Sequence, residues 1–157
     1  MWKGLCSLRF VDGGHNAMIM GPVGVGKTFL ATALGPRRCP PPLQRSLRTL
    51  RPPPQVPPRA SRLENSHDTE MRSKLLRVDL LIVDDFALQP FDALDTADIY
   101  ELMVERHCAA ATVVTSNREP IEWLAVMADP LLAQSAIDRL QSAAHELVLD
   151  GESYRRR

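Results

Sequence analysis

Apolar and polar positions along the chain fall into a repeating arrangement of short continuous apolar runs and longer segments of helical spacing. Asn16-Ala-Met-Ile-Met20 is apolar after its first residue and stops at Gly21-Pro22, which reads as a buried strand. Residues 28–34 follow with helix-forming side chains, and Gly35-Pro36 closes that helix. Residues 66–76 place Met71, Leu75 and Leu76 at helical spacing. Val78 to Val83 is a second apolar run, closed by Asp84-Asp85. Residues 92–108 predict a helix with Ile99, Leu102, Met103 and Arg106 along one side. Thr112-Val-Val-Thr115 is β-branched throughout and predicts a third buried strand, running out at Ser116-Asn117. Pro120 and Pro130 stand where helices can begin, Pro130 behind a capping Asp129. A helix over 131–144 and a short strand over 146–149 complete the pattern. Strands that are continuously apolar and alternate with helices predict an α/β domain with a mostly parallel sheet.

One stretch breaks the pattern. Residues 36–60 hold nine of the 13 prolines, six arginines and no Asp or Glu. They predict polyproline II or disorder rather than strand or helix. They also explain the net charge of zero, because they contribute +6 and leave 13 Lys and Arg against 19 Asp and Glu elsewhere. No apolar run approaches the roughly 20 residues of a membrane span, and no secretory leader is legible at the start. Three cysteines without paired spacing fit a reducing, cytoplasmic setting. The four histidines never reach metal-ligand spacing.

The chemistry concentrates at the strand ends. Gly21-Pro22-Val23-Gly24-Val25-Gly26-Lys27-Thr28 has the spacing of a phosphate-binding loop between a strand and a helix. A polyphosphate is wrapped by backbone N–H groups, so the loop needs glycines and a helix N-terminus beyond them. Lys27 would reach the β- and γ-phosphates of ATP, and Thr28 would place its hydroxyl on Mg²⁺. At the end of a strand beside such a loop, Asp84 would hold the Mg²⁺ and Asp85 would orient the attacking water. Without the loop the same pair would be an ordinary acidic turn. Asn117 is open to two readings, a turn asparagine or a hydrogen-bond partner of the lytic water.

Taken together, Gly-Pro-Val-Gly-Val-Gly-Lys-Thr, Val-Asp-Leu-Leu-Ile-Val-Asp-Asp-Phe, Val-Val-Thr-Ser-Asn-Arg-Glu-Pro, Ile-Asp-Arg-Leu and Gly-Glu-Ser-Tyr-Arg resemble the IstB-like ATP-binding proteins. These are AAA+ helper ATPases encoded with a transposase in insertion sequences, and they are similar to DnaC helicase loaders. The resemblance covers about residues 10–35 and 62–156. It implies a single P-loop α/β/α sandwich domain over 1–157. It makes Lys27 and Thr28 the Walker A pair, Asp84 and Asp85 the Walker B pair, and Asn117 the sensor-1 residue. Arg139 matches the region where such proteins carry an arginine that reaches a neighbour's nucleotide; otherwise it is a surface arginine. Arg155 is a weaker match. The implied partners are double-stranded DNA, a transposase and further copies of the chain, with no membrane. A helicase loader, a non-catalytic nucleotide-binding remnant and a small-molecule kinase are the competing readings.

Two departures from the family pattern create expectations of their own. Only 15 residues precede Asn16, so the chain reads as N-terminally shortened. Residues 36–60 stand where the family has the rest of a helix, a second strand and the start of another helix. Two compensating frame changes can convert such a family segment into Pro and Arg codons; a genuine Pro-rich insertion is the alternative. Resequencing the locus decides between them. The expectation for the fold is that the second, edge strand is lost, leaving apolar surface exposed and the chain less stable and less soluble than an in-frame version.

Overall fold

The computed structural model describes residues 5–34, 47–50, 73 and 75–154. In chain order it contains α1 (Arg9–Asp12), β1 (Ala17–Met20), α2 (Lys27–Leu34), β2 (Leu47–Leu50), β3 (Leu80–Val83), α3 (Ala93–Arg106), β4 (Ala111–Ser116), α4 (Pro120–Trp123), α5 (Pro130–Gln141) and β5 (His145–Val148). A 3₁₀ turn, Leu124–Val126, joins the region after α4 to α5. The helix expected over 66–76 lies mostly outside the described residues; residues 75–77 are helical.

The five strands form one sheet in the order β2-β3-β4-β1-β5. Every pairing is parallel, with Leu80 opposite Ala111 and Ala17 opposite both Val113 and His145. Alternation along the strands splits the core between two faces. Met18, Met20, Leu81, Val83 and Val114 pack with Met103, Trp123, Ile137 and Leu140, so α3, α4 and α5 cover one face. Ala17, Ile19, Leu80, Ile82 and Val113 pack with Phe10, Ala31 and Leu34, so α1 and α2 cover the other. This is the predicted three-layer α/β/α arrangement. Burial on both faces is why β1, β3 and β4 read as unbroken apolar runs.

The expected loss of the second strand is corrected. Leu47–Leu50 is a strand, paired in parallel with β3 from Leu47↔Leu80 to Leu50↔Val83. An edge strand needs main-chain pairing on one side only, and residues 43–51 are the longest proline-free window in the anomalous stretch. With β2 in place β3 has a neighbour on each side. The remainder of 36–60 lies outside the described residues.

Helix boundaries follow their caps. Asp92 accepts a hydrogen bond from the Asp95 N–H at 2.7 Å to start α3, and Asp129 accepts from the N–H groups of Leu131 and Leu132 to start α5 behind Pro130. α5 ends at Gln141, three residues before its expected end, because Ala143 takes a left-handed conformation (φ 60°) that turns the chain into β5.

The edge of the sheet where the strands begin is fastened by two polar side chains. Arg106, at the end of α3, is only 2% exposed. Its guanidinium donates to the carbonyls of Leu75, Val78 and Ala111 and to the Thr112 hydroxyl. Burial lowers its pKa to about 10, with Asp79 opposing the shift, so it remains a cation at neutral pH. Asn16 donates to the Leu140 and Arg139 carbonyls and accepts from the Thr112 N–H, which ties the end of α5 to β4.

Replacing Arg106 by Met should cost at least about 3 kcal/mol, since three carbonyls lose their partner in a buried place. The urea-unfolding midpoint reads this. A change within the scatter of surface substitutions would show that these bonds carry no net stability.

Candidate nucleotide site

Where β1 ends, the chain turns through residues 21–26 into α2 without intervening structure. The turn is held on two sides. The Gly21 N–H donates to the Ser116 carbonyl at 3.2 Å, which joins the loop to the end of β4. The Tyr154 N–H donates to the Gly24 carbonyl at 3.0 Å, which joins it to the segment beyond β5. Gly24 has φ +86°, and a side chain there would collide with Ser153 Oγ. Gly26 has φ +94° with open space around it. Both positions need glycine for backbone conformation, and Gly24 needs it for room as well. Val23 is exposed on the loop's outer side, whereas Val25 is buried.

Lys27 is the first residue of α2 and is 7% exposed. Its ammonium donates to the Gly21 and Pro22 carbonyls, each at 2.7 Å, so it spans its own loop. Burial lowers its pKa, and the charges of Asp85 and Asp84 oppose that shift. Thr28 donates its hydroxyl to Asp84 Oδ1 at 2.9 Å. That contact brings the loop and the acidic pair, 56 residues apart in sequence, to one point. A hydroxyl and a carboxylate at the mouth of a loop able to receive phosphate are hard oxygen donors of the kind Mg²⁺ takes, so these residues fit that ion.

Asp84 is 5% exposed and has a second donor on the same oxygen, the Thr115 hydroxyl at 2.6 Å. Asp85 follows in a left-handed conformation (φ 54°), its N–H donating to Thr115 Oγ1 at 2.9 Å. Asn117 is exposed directly beyond Ser116, the residue that receives the Gly21 N–H. Gly21, Lys27, Thr28, Asp84, Asp85 and Asn117 therefore share one end of the sheet.

Arg139 is not brought to that end. Asn16 holds its carbonyl where β1 begins. Its guanidinium donates to Ser135 and lies 5.7 Å over the Tyr100 ring. Two features of the site escape sequence reasoning. Thr115 reads as a β-branched strand residue, and Ser153-Tyr154 enters only as part of the family motif Gly-Glu-Ser-Tyr-Arg, with no contact to the loop foreseen. A hydroxyl at the C-terminal end of a buried strand, next to the strand that ends in two carboxylates, was the available signal for the first.

A family model for IstB-like ATP binding proteins matches residues 1–157. The chain belongs to that family. Its curated relatives include a putative ATP-binding protein of an insertion sequence in Mycobacterium tuberculosis, 33% identical over 170 residues, covering 100% of this chain and 62% of the relative. Another is a putative insertion sequence ATP-binding protein of Sinorhizobium fredii, 37% identical over 147 residues, covering 90% of this chain and 56% of the relative. The chain thus spans less than two thirds of the length of these family members. Among solved structures, DnaI superposes with a TM-score of 0.69 at 20% identity, over 96% of this chain and 81% of that one. The DnaC helicase loader superposes at 0.63 with 18% identity, over 94% and 89%. At those identities the likeness is one of fold alone, and it agrees with the three-layer α/β/α domain. No helix among the described residues is long and apolar enough to cross a membrane.

Gly24→Ala and Gly26→Ala separate conformation from contact. Each should lose about 1–3 kcal/mol from backbone strain. Gly24→Ala should lose more, because Ser153 must also move. Equal denaturation midpoints for the two variants would show that the Ser153 segment gives way freely.

Proposed function

We propose that this chain is the ATP-hydrolysing domain of a DNA-associated helper of a transposase, working as a homo-oligomer on double-stranded DNA. The observation that carries the reading is the 2.9 Å hydrogen bond from Thr28 to Asp84, which joins a phosphate-binding loop to an acidic strand end. The family supports ATP as the nucleotide, and the insertion-sequence relatives support the transposase.

In this reading the backbone N–H groups of residues 21–28 wrap the phosphates, and the N-terminus of α2 adds its positive dipole end. The Lys27 ammonium exchanges its loop carbonyls for phosphate oxygens. Thr28 and Asp84 hold Mg²⁺, which supplies charge neutralisation on the phosphates when bound. Asp85 accepts the proton of the attacking water, and Asn117 hydrogen-bonds that water. Arg139 extends toward the nucleotide of the neighbouring copy and stabilises developing charge there. ATP binding then favours assembly on DNA, and hydrolysis releases it.

Three substitutions test the roles separately. Lys27→Ala should weaken ATP binding by about 10–100-fold, the weight of charge-assisted hydrogen bonds. Asp85→Asn should keep binding and lower turnover by about 10²–10⁴-fold, since the amide has the shape but not the basicity. Arg139→Ala should keep binding by the isolated chain and lose turnover in the assembly, by about 10³-fold or more. Mixing Arg139→Ala with Asp85→Asn chains should restore part of the activity, because some boundaries then pair an intact Arg139 with an intact Asp85. Full activity of Arg139→Ala alone, or no recovery in confirmed mixed assemblies, removes the trans role. A protein that binds ATP but never turns it over, with or without DNA and transposase, is the non-catalytic remnant instead.

A further inference from the structure

Asp84 and Asp85 have been assigned roles, yet each needs outside support, Asp85 for its backbone and Asp84 for its carboxylate. Asp85 has φ 54°, a region that costs an L residue roughly 1 kcal/mol or more and persists where its surroundings enforce it. Asp84 is a nearly buried carboxylate, which needs hydrogen-bond donors. Thr115 answers both needs. It is fully buried near the end of β4, one residue past the Val83↔Val114 pairing, and so lies level with Asp84. Its hydroxyl donates to Asp84 Oδ1 at 2.6 Å and accepts from the Asp85 N–H at 2.9 Å. Its carbonyl accepts from the Phe86 N–H at 2.8 Å. Three consecutive residues of the acidic turn are therefore fastened to one threonine.

We propose that Thr115 is the positioning residue of the acidic pair: its hydroxyl orients the Asp84 carboxylate for Mg²⁺ and sets the Asp85 backbone so that its carboxylate faces the attacking water. The proposal rests on the ATPase reading above. Thr28 is the other donor to Asp84 Oδ1, but the same reading assigns its hydroxyl to the cation. Thr115 lies on the sheet and is the donor that no ligand claims. A hydroxyl is required because the position must donate and accept at once; valine does neither, and serine does both.

The experiment compares wild type, Thr115→Val, Thr115→Ala and Thr115→Ser. Affinity for a fluorescent ATP analogue is measured in Mg²⁺ and in EDTA, together with ATP turnover and melting midpoint. Ala is included because Val sets a methyl against a carboxylate, so the better-folded of the two carries the comparison. Expected are wild-type affinity in EDTA, a lost gain of affinity on adding Mg²⁺, and turnover reduced by about 10–100-fold, the usual effect of removing an outer partner of a metal ligand. Thr115→Ser should recover both. Val and Ala variants that keep the Mg²⁺ gain and the turnover overturn the role of Thr115 and leave the ATPase reading standing. Equal loss in Mg²⁺ and EDTA, not rescued by Ser, makes Thr115 merely structural and also overturns it. A folded wild-type protein with neither Mg²⁺ gain nor turnover removes both readings.

Discussion

Asp84 is a carboxylate taken out of water at the end of a strand that is buried on both faces, and a charge so placed has to be met by donors or neutralised. It is met by two hydroxyls from different parts of the chain. Thr28 stands at the start of α2, and Thr115 stands at the end of β4. One oxygen atom thus fixes the relative positions of the loop helix and two central strands. The positions of the rest follow. Lys27 precedes Thr28 and is turned into its own loop, and Asp85 follows Asp84 and is held by Thr115. The Ser116 carbonyl receives the loop's first N–H. A parallel sheet makes this geometry available because all its strand ends point the same way.

The other end of the sheet has the opposite character. Its polar groups, Arg106 and Asn16, are spent on main-chain carbonyls and on Thr112, and they bind elements together instead of facing a ligand. Arg106 shows why a buried cation is tolerable there. Four acceptors surround the guanidinium, and its planar fork reaches all of them at once. The domain therefore keeps stability and chemistry at opposite ends of the same strands.

That division decides what was legible in the sequence. The central strands and the phosphate loop were legible because each depends on a local pattern: apolar runs for burial, glycines for the loop, Asp129-Pro130 for a helix start. β2 was not, since an edge strand four residues long needs main-chain pairing and little from its side chains, and its flanking prolines masked it. Arg106 looked like one residue on an apolar helix side, because its partners are carbonyls, which sequence does not display. Thr115 was hidden for the same kind of reason. Its β-branched shape belongs to the strand, while its hydroxyl belongs to a turn 30 residues earlier. The tie between Ser153-Tyr154 and Gly24 joins residues about 130 apart and has no local signature.

A trans role for Arg139 carries a constraint on assembly. Asn16, which holds the Arg139 carbonyl, stands before β1, and the phosphate loop begins after it. From Asn16 to Gly21 the chain takes five extended steps, roughly 16 Å at the rise of a strand. An arginine side chain is shorter than that, so this geometry disfavours contact between Arg139 and the nucleotide of its own chain. If it acts on a neighbour's, the two surfaces in contact are different: one carries the loop, the other the end of α5. A contact between unlike surfaces is head-to-tail, and it repeats into a ring or a helix rather than closing on itself as a two-fold dimer. Each added copy then completes one site and offers an arginine for the next. An assembly grown in that way would carry ATP at every internal boundary, and its length could follow the DNA on which it forms.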